Sequence, residues 1–122
     1  MLEKKENVPA FQSILETLES MINEEYQSRQ WVAREDPHNY SCYDNDTMYF
    51  LEDGEAVLDA RDANRIEMTE RQYKMLKKLY EMVDEYDSSR DRPTTDKEII
   101  DDPEWGKIRD YAKLVYKELT SE

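Results

Sequence analysis

The chain of 122 residues contains few of the residues that form turns, with only two Gly and four Pro. All-β folds, and folds that alternate strands with helices, need many loop residues that tolerate positive φ angles. The scarcity of Gly and Pro in this chain therefore favours a helical fold. Gly54 and Gly106 are also too far apart along the chain to form a glycine-rich loop that could hold a phosphate group.

Cysteine and histidine are each present once. Cys42 cannot form an internal disulfide, and a single thiol is typical of a protein in a reducing compartment. His38 lies four positions before it, but a nucleophile and its base need a third, orienting group, and tetrahedral zinc needs four ligands. We therefore expect no catalytic residues, no bound metal and no cofactor.

Long apolar segments are absent, since no run approaches the roughly 20 residues of a membrane span. The polar start Met1–Glu6 is followed by no apolar segment of the kind that signal peptides contain. From these two absences we expect a cytoplasmic protein that does not bind membranes.

Positive charge is scarce, because 17 Lys and Arg face 30 Asp and Glu and leave a net charge of −13. A chain this acidic cannot collect nucleic-acid phosphates on a general basic surface. The negative charge is concentrated in residues 35–70, whose net charge is −9, whereas the segments on either side carry −2 each. We expect a basic protein as partner and no direct contact with nucleic acid.

Large apolar side chains are present in numbers that a disordered acidic tail does not carry, including nine Tyr, six Met and two Trp. A chain of 14.7 kDa buries enough surface for one core. We predict a single helical domain over residues 7–120, preceded by a flexible end at residues 1–6, in a monomer or a homodimer.

Apolar residues recur at helical spacing in three segments. The first predicted helix begins near Val8 and runs to about Arg34, before Asp36–Pro37. The second follows a capping box at Thr69–Gln72, and the third follows Asp102–Pro103. Together they predict a mainly α fold, a small helical bundle of three to four helices. The expected core residues are Leu15, Leu18, Leu76, Leu79, Ile108 and Val115.

The segment around residues 47–60 allows two interpretations. A short β-hairpin with a turn at Asp53–Gly54 would place alternate apolar residues on one face. Alternatively, Thr47 to about Arg61 forms a helix that tolerates Gly54 at a cost of about 1 kcal/mol. In a helix we expect Tyr49 to turn inward, which would leave Tyr40 and Tyr43 exposed.

Carboxylate pairs occur at spacings that resemble metal-binding motifs only poorly. Glu16 and Glu19 could form half of a helical magnesium site, with Glu81 and Asp84 as the other half, but the two pairs are far apart in the chain and common in so acidic a sequence. Residues 44–48 begin like a calcium loop but lack the glycine at its sixth position, where Tyr49 stands.

Acidic residues alternate with tyrosines in residues 40–59, the pattern of an aromatic anchor surrounded by steering charges. The basic cluster Arg71–Lys78 lies early in its helix, where the helix dipole disfavours cations, so we expect it to have an acidic neighbour in the middle segment of the same chain or of a second copy. The candidate partner-binding residues are Tyr40, Tyr43, Tyr49, Asp44, Asp46, Glu52, Asp53 and Glu55.

The leading hypothesis is a non-enzymatic, acidic protein-binding module that docks on a basic protein. Small acidic inhibitors, immunity proteins and antitoxins have this charge profile, and the analogy is at the level of that class. One alternative is a nucleic-acid mimic that occupies a DNA-binding protein, which would need a regular ridge of acids. Another is an enzyme that acts through carboxylates and a divalent metal.

Overall fold

The structure is a computed structural model that describes residues 2–121. The fold is mainly helical, as predicted. A two-residue strand, β1, pairs in parallel with a second one, β2. The elements are β1 (Glu3–Lys4), α1 (Pro9–Met21), α2 (Glu24–Gln27), α3 (Tyr43–Asp62), β2 (Ile66–Glu67), α4 (Glu70–Ser88), α5 (Asp96–Asp101) and α6 (Pro103–Thr120).

The four longest helices enclose the core. Helix α1 packs on α3, α3 on α4, α4 on α6, and α6 back on α1, so that α1 and α4 lie across the ring from each other. The short α5 packs against α6 and against the π-helical turn Ser28–Val32 that follows α2. Five of the six expected core residues are buried in one cluster, whereas Leu15 is only partly buried at its edge.

The first helix is shorter than predicted, because the chain breaks at Asn23. This residue has an extended backbone, and its side chain accepts a hydrogen bond from the Tyr26 N–H, which starts α2 as a new helix. Gln27 Nε2 then donates to the carbonyls of Ser20 and Met21 at 2.9 and 2.8 Å, which satisfies acceptors freed at the end of α1. One helix up to Arg34 was therefore a wrong prediction.

Residues 43–62 form one helix, so the hairpin interpretation was wrong. The helix begins after Cys42, whose Sγ accepts a hydrogen bond from the Asn45 N–H, and not after any of residues 44–47. The sequence pattern was ambiguous because polar Asp46 and Thr47 face the core, while Met48 and Tyr49 face solvent. Both exceptions weaken the apolar periodicity on which the helical interpretation depends.

The core contains a cluster of four aromatic residues, Trp31, Tyr43, Tyr86 and Trp105, which comes from the π-helical turn, α3, α4 and α6. The closest pair is Tyr43 and Trp105, whose ring centroids are 5.4 Å apart in an edge-to-face arrangement. Such pairs add stability beyond the area they bury. The cluster holds the start of α3 in place.

The expected flexible end is in part a defined segment. The Glu3 N–H donates to the Arg65 carbonyl at 2.9 Å, and Glu3 and Lys4 pair with β2. Met1, which also belongs to the expected flexible end, lies outside the described residues. Among residues 2–121, no helix is both long enough and apolar enough to cross a membrane.

Candidate functional site

Five exposed carboxylates lie along one side of α3, and we call them the acidic face. They are spaced 8, 3, 4 and 3 positions apart, which at 3.6 residues per turn keeps them on the same side of the helix. From the first to the last, the face is about 27 Å long at 1.5 Å per residue. Its members are Asp44, Glu52, Glu55, Asp59 and Asp62.

Within residues 2–121, no ion pair neutralises the acidic face. None of the ion pairs among the described residues uses a carboxylate of α3. The single basic residue of the helix, Arg61, pairs instead with Glu70 of α4 at 3.0 Å. The field of the acidic face is therefore directed at solvent.

The basic residues at the start of α4 find their acidic neighbours partly in the middle segment, residues 35–70, and partly in α6. Arg71 pairs with Glu118 of α6 at 2.6 Å, and Lys74 pairs with Glu70 one turn before it. Lys78 lies over the ring of Tyr111, 4.9 Å from its centroid. Lys77 is different, because it lies between α3 and α4 beside Glu55, Asp59 and Asp62 of the acidic face.

Two of the predicted anchors, Tyr40 and Tyr49, are exposed, at 74% and 50% of their surface. Tyr49 faces solvent although α3 is a helix, so the expectation that a helix would turn it inward was wrong. Met48, which the sequence interpretation did not include, is 46% exposed beside it. An apolar patch therefore lies near the N-terminal end of the acidic face.

Tyr43 is a core residue and not a surface anchor. Only 1% of its surface is exposed, and its hydroxyl donates to Asp87 at 2.9 Å. Burial and the neighbouring Asp87 carboxylate raise the pKa of the Tyr43 hydroxyl, although Arg92, which stacks on the ring, acts in the opposite direction. The tyrosine is therefore held neutral inside the bundle.

Asp46 also faces inward, so it is not one of the exposed charges that could steer a partner. Its carboxylate accepts hydrogen bonds from the hydroxyls of Ser20 and Ser41, and Ser41 in turn accepts from Trp31 Nε1. Burial is the largest influence and raises the pKa of Asp46, while the hydrogen bonds from the two serines lower it. The residue fastens α3 to α1 and to the loop before α3.

The remaining acidic residues that were predicted to bind a partner differ in how exposed they are to solvent. Asp53 is half-buried and accepts a hydrogen bond from Ser13 of α1 at 2.5 Å, so its main contact is structural. Glu52 and Glu55 are exposed and belong to the acidic face, as does Asp44. The exposed candidates are thus Tyr40, Tyr49 and these three acids.

Sequence reasoning missed a groove between α3 and α4, which we call the tyrosine groove. Its volume is about 290 Å³. The spacing of Tyr73 and Tyr80, seven positions apart and so on one side of α4, was a signal that could have pointed to it. Its lining residues are Glu55, Leu58, Asp59, Asp62, Tyr73, Lys77, Tyr80 and Glu81.

The residues that resembled parts of metal-binding or catalytic sites lie far apart in the fold. Glu16 and Glu19 are on α1, whereas Glu81 and Asp84 are on α4, across the ring. Within residues 2–121, no group of three or more His, Cys, Asp or Glu side chains could hold a metal ion. His38 is exposed in a loop.

Comparison with known protein families, with curated proteins and with solved structures found no match to this chain. The acidic face and the tyrosine groove share Glu55, Asp59 and Asp62, so α3 contributes to both.

Proposed function

We propose that this protein is a non-enzymatic binding module that docks the acidic face of α3 on a basic surface of a partner protein. The observation that carries the proposal is that five exposed carboxylates share one side of a helix and form no ion pair with any residue of positions 2–121. Unpaired charges on a solvated surface cost the folded protein little free energy. Grouped on one side of a helix, they attract a basic partner and steer it into contact. An inhibitor, an immunity protein or an antitoxin-type protein would use such a surface.

The apolar patch complements the charges. Exposed charges mainly accelerate encounter, whereas aromatic and other large apolar side chains that become buried hold the complex together. Tyr40, Met48 and Tyr49 lie at one end of the acidic face and have the exposure that this role needs. We assign anchoring to these three residues and steering to the acidic face.

Charge density favours protein docking over nucleic-acid mimicry. The acids do form a ridge, but five charges over about 27 Å correspond to one per roughly 5 Å. A DNA duplex carries one negative charge per about 1.7 Å of its axis. The ridge has about a third of that density, so mimicry of a duplex is the second candidate.

The proposal includes a cellular compartment and an oligomeric state. A single thiol suits a reducing environment, so we place the protein in the cytoplasm, as a monomer or a homodimer. An enzyme that acts through paired carboxylates and a divalent metal is the least favoured alternative, since the two candidate pairs lie on helices α1 and α4, across the ring.

Affinity capture with matched variants tests the proposal. Tagged protein would be incubated with its native lysate at low and at moderate salt, and bound proteins identified by mass spectrometry. The test variant, Asp44→Asn with Glu52→Gln and Glu55→Gln, removes three charges from the acidic face.

The control variant removes the same number of charges from exposed positions outside α3, with Glu16→Gln, Glu35→Gln and Asp91→Asn. We expect a basic protein to be captured by the wild type and by the control, and to be lost with the test variant as salt rises. Equal capture by both variants would exclude the acidic face as the docking surface.

A further inference from the structure

We propose that the tyrosine groove binds a lysine or arginine side chain of the basic partner. This inference rests on the proposed function and extends it, since it names the part of the partner that the groove would hold. Pockets that bind drug-sized ligands usually occupy about 300–1,000 Å³. At about 290 Å³ the groove is at the small end of that range, so it suits a single side chain.

The tyrosine rings supply the floor on which a long cationic side chain can lie. The ring of Tyr73 already has two cations of this chain near it, Arg61 at 4.9 Å and Lys77 at 5.8 Å from its centroid. Aromatic faces attract such cations through the ring quadrupole. Tyr80 provides a second ring in the same groove, and Leu58 adds apolar surface for the aliphatic stem.

Carboxylates at the rim supply the opposite charge for the cationic head. Glu55 and Asp59 from α3, together with Glu81 from α4, line the groove, and Tyr73 donates a hydrogen bond to Asp62 at 2.7 Å. Burial first, and then the negative charge of Glu55 and other acids, raise the pKa of the Tyr80 hydroxyl. The groove is therefore both aromatic and strongly negative.

Arg61 lies over the Tyr73 ring but pairs with Glu70, which does not line the groove, whereas Lys77 lines the groove itself. Among the described residues, no carboxylate comes within 4.0 Å of its ammonium group, so the four groove carboxylates exceed its single charge. A partner cation would enter beside Lys77 and be repelled by it. Removal of this charge should therefore tighten binding.

Titration with a short cationic peptide tests the groove directly. The probe is tetralysine with an acetylated N-terminus and an amidated C-terminus, followed by amide chemical shifts of isotope-labelled protein. We expect the largest shift changes at Tyr73, Tyr80 and the α3 residues opposite them, and a dissociation constant that increases with salt.

Three variants distinguish binding in the groove from attraction by the overall negative charge of the protein. Tyr80→Leu keeps apolar volume but removes the ring, so it should weaken binding about two- to five-fold. Lys77→Gln removes a like charge that lines the groove, so it should tighten binding about three-fold. Tyr111→Leu, which changes a partly buried tyrosine of α6 outside the groove, should leave affinity unchanged.

The outcomes distinguish this inference from the proposed function. Unchanged affinity in both Tyr80→Leu and Lys77→Gln, with shifts confined to Asp44, Tyr49 and Glu52, would overturn the groove and leave the acidic face as the docking surface. Shifts spread evenly over all acidic segments would overturn the groove and the proposed docking surface together. Thermal melting of each variant confirms that the protein compared is folded.

Discussion

Gly54 of α3 lies directly against the ring of Tyr80 of α4: a Cβ atom on Gly54 would come 3.1 Å from Tyr80 Cδ2. This contact explains a glycine in the interior of a helix, where it costs about 1 kcal/mol relative to alanine. The absent side chain lets the tyrosine ring pack on the backbone of α3. The same tyrosine also lines the tyrosine groove.

A double-mutant cycle can measure the coupling free energy between positions 54 and 80. In the wild type, Gly54→Ala should yield less than the usual gain of about 1 kcal/mol, because the new methyl group displaces the ring. In a Tyr80→Ala background the full gain should return. Free energies of unfolding by urea would measure both. An identical gain in the two backgrounds would show that the ring does not restrict position 54.

The core residues should respond according to their burial. Leu18, Leu76 and Leu79 are fully buried, so substitution of any of them by Ala should cost about 2–5 kcal/mol. Leu15→Ala should cost less, because Leu15 lies at the edge of the cluster. The exposed Leu114 is the control, and its replacement should change the melting temperature little. Equal losses at all five positions would contradict the described core.

The N-cap of α4 should depend on the oxygen of Thr69. The Thr69 hydroxyl accepts from the Gln72 N–H, and the Gln72 side chain accepts from the Thr69 N–H, which confirms the predicted capping box. Thr69→Ala should cost about 1 kcal/mol, whereas Thr69→Ser should be nearly silent. Comparison of their denaturation midpoints would check this, and equal losses would mean that the methyl group matters more than the cap.

The N-cap of α6 has a second role. Asp102 accepts from the Glu104 N–H with one oxygen and from the Tyr86 hydroxyl with the other, at 3.1 and 2.8 Å. Asp102→Ala should therefore cost more than the roughly 1 kcal/mol of a cap alone, because it also leaves a buried hydroxyl unpaired. Tyr86→Phe in the Asp102→Ala background should recover part of that loss in a chemical denaturation experiment.

The buried Asp46 should make the free energy of unfolding fall as pH rises. Its pKa is raised in the folded protein, so above about pH 4 the folded state holds the proton more tightly than the unfolded chain does. Stability from this residue is highest below the unfolded pKa and is lost as pH rises through the folded pKa. Asp46→Asn should remove that dependence.

Urea denaturation between pH 4 and pH 7 would measure the difference between the wild type and Asp46→Asn. Asp44→Asn is the matched control, since it removes an equal charge from the surface two residues away. If both variants change the pH dependence equally, net charge and not the buried carboxyl determines it.

Binding kinetics should separate steering from anchoring once a captured partner is in hand. The triple variant of Asp44, Glu52 and Glu55 should slow association and flatten its dependence on salt, because exposed charges act over about 8–10 Å at ordinary ionic strength. Tyr49→Ala should instead speed dissociation. Unchanged association of the triple variant would mean that the acidic face is only a solvated surface.

Tyr43 provides a contrast with Tyr49. Tyr43→Ala should cost about 3–5 kcal/mol of folding stability, comparable to the loss of other buried aromatic side chains, because the ring is fully buried in the aromatic cluster. Tyr49→Ala should leave the melting temperature nearly unchanged. Thermal unfolding of the two variants would check the assignment of one tyrosine to the core and the other to the surface.

Sequence alone determined the features that depend on neighbouring residues. Apolar spacing predicted α4 and α6, and the caps at Thr69 and Asp102 were found because a cap involves residues only two or three positions apart. The acidic character of the middle segment also followed from composition. These features need no knowledge of the rest of the molecule.

Tertiary structure decided what depends on distant residues. The carboxylate of Asp46 faces inward because hydroxyls from Ser20 and Ser41 are there to bond it, and Tyr43 is buried because Asp87 accepts its hydroxyl proton in a hydrogen bond. Those partners lie up to 44 positions away along the chain. A polar group is buried only where such partners exist, so local periodicity could not assign the faces of α3.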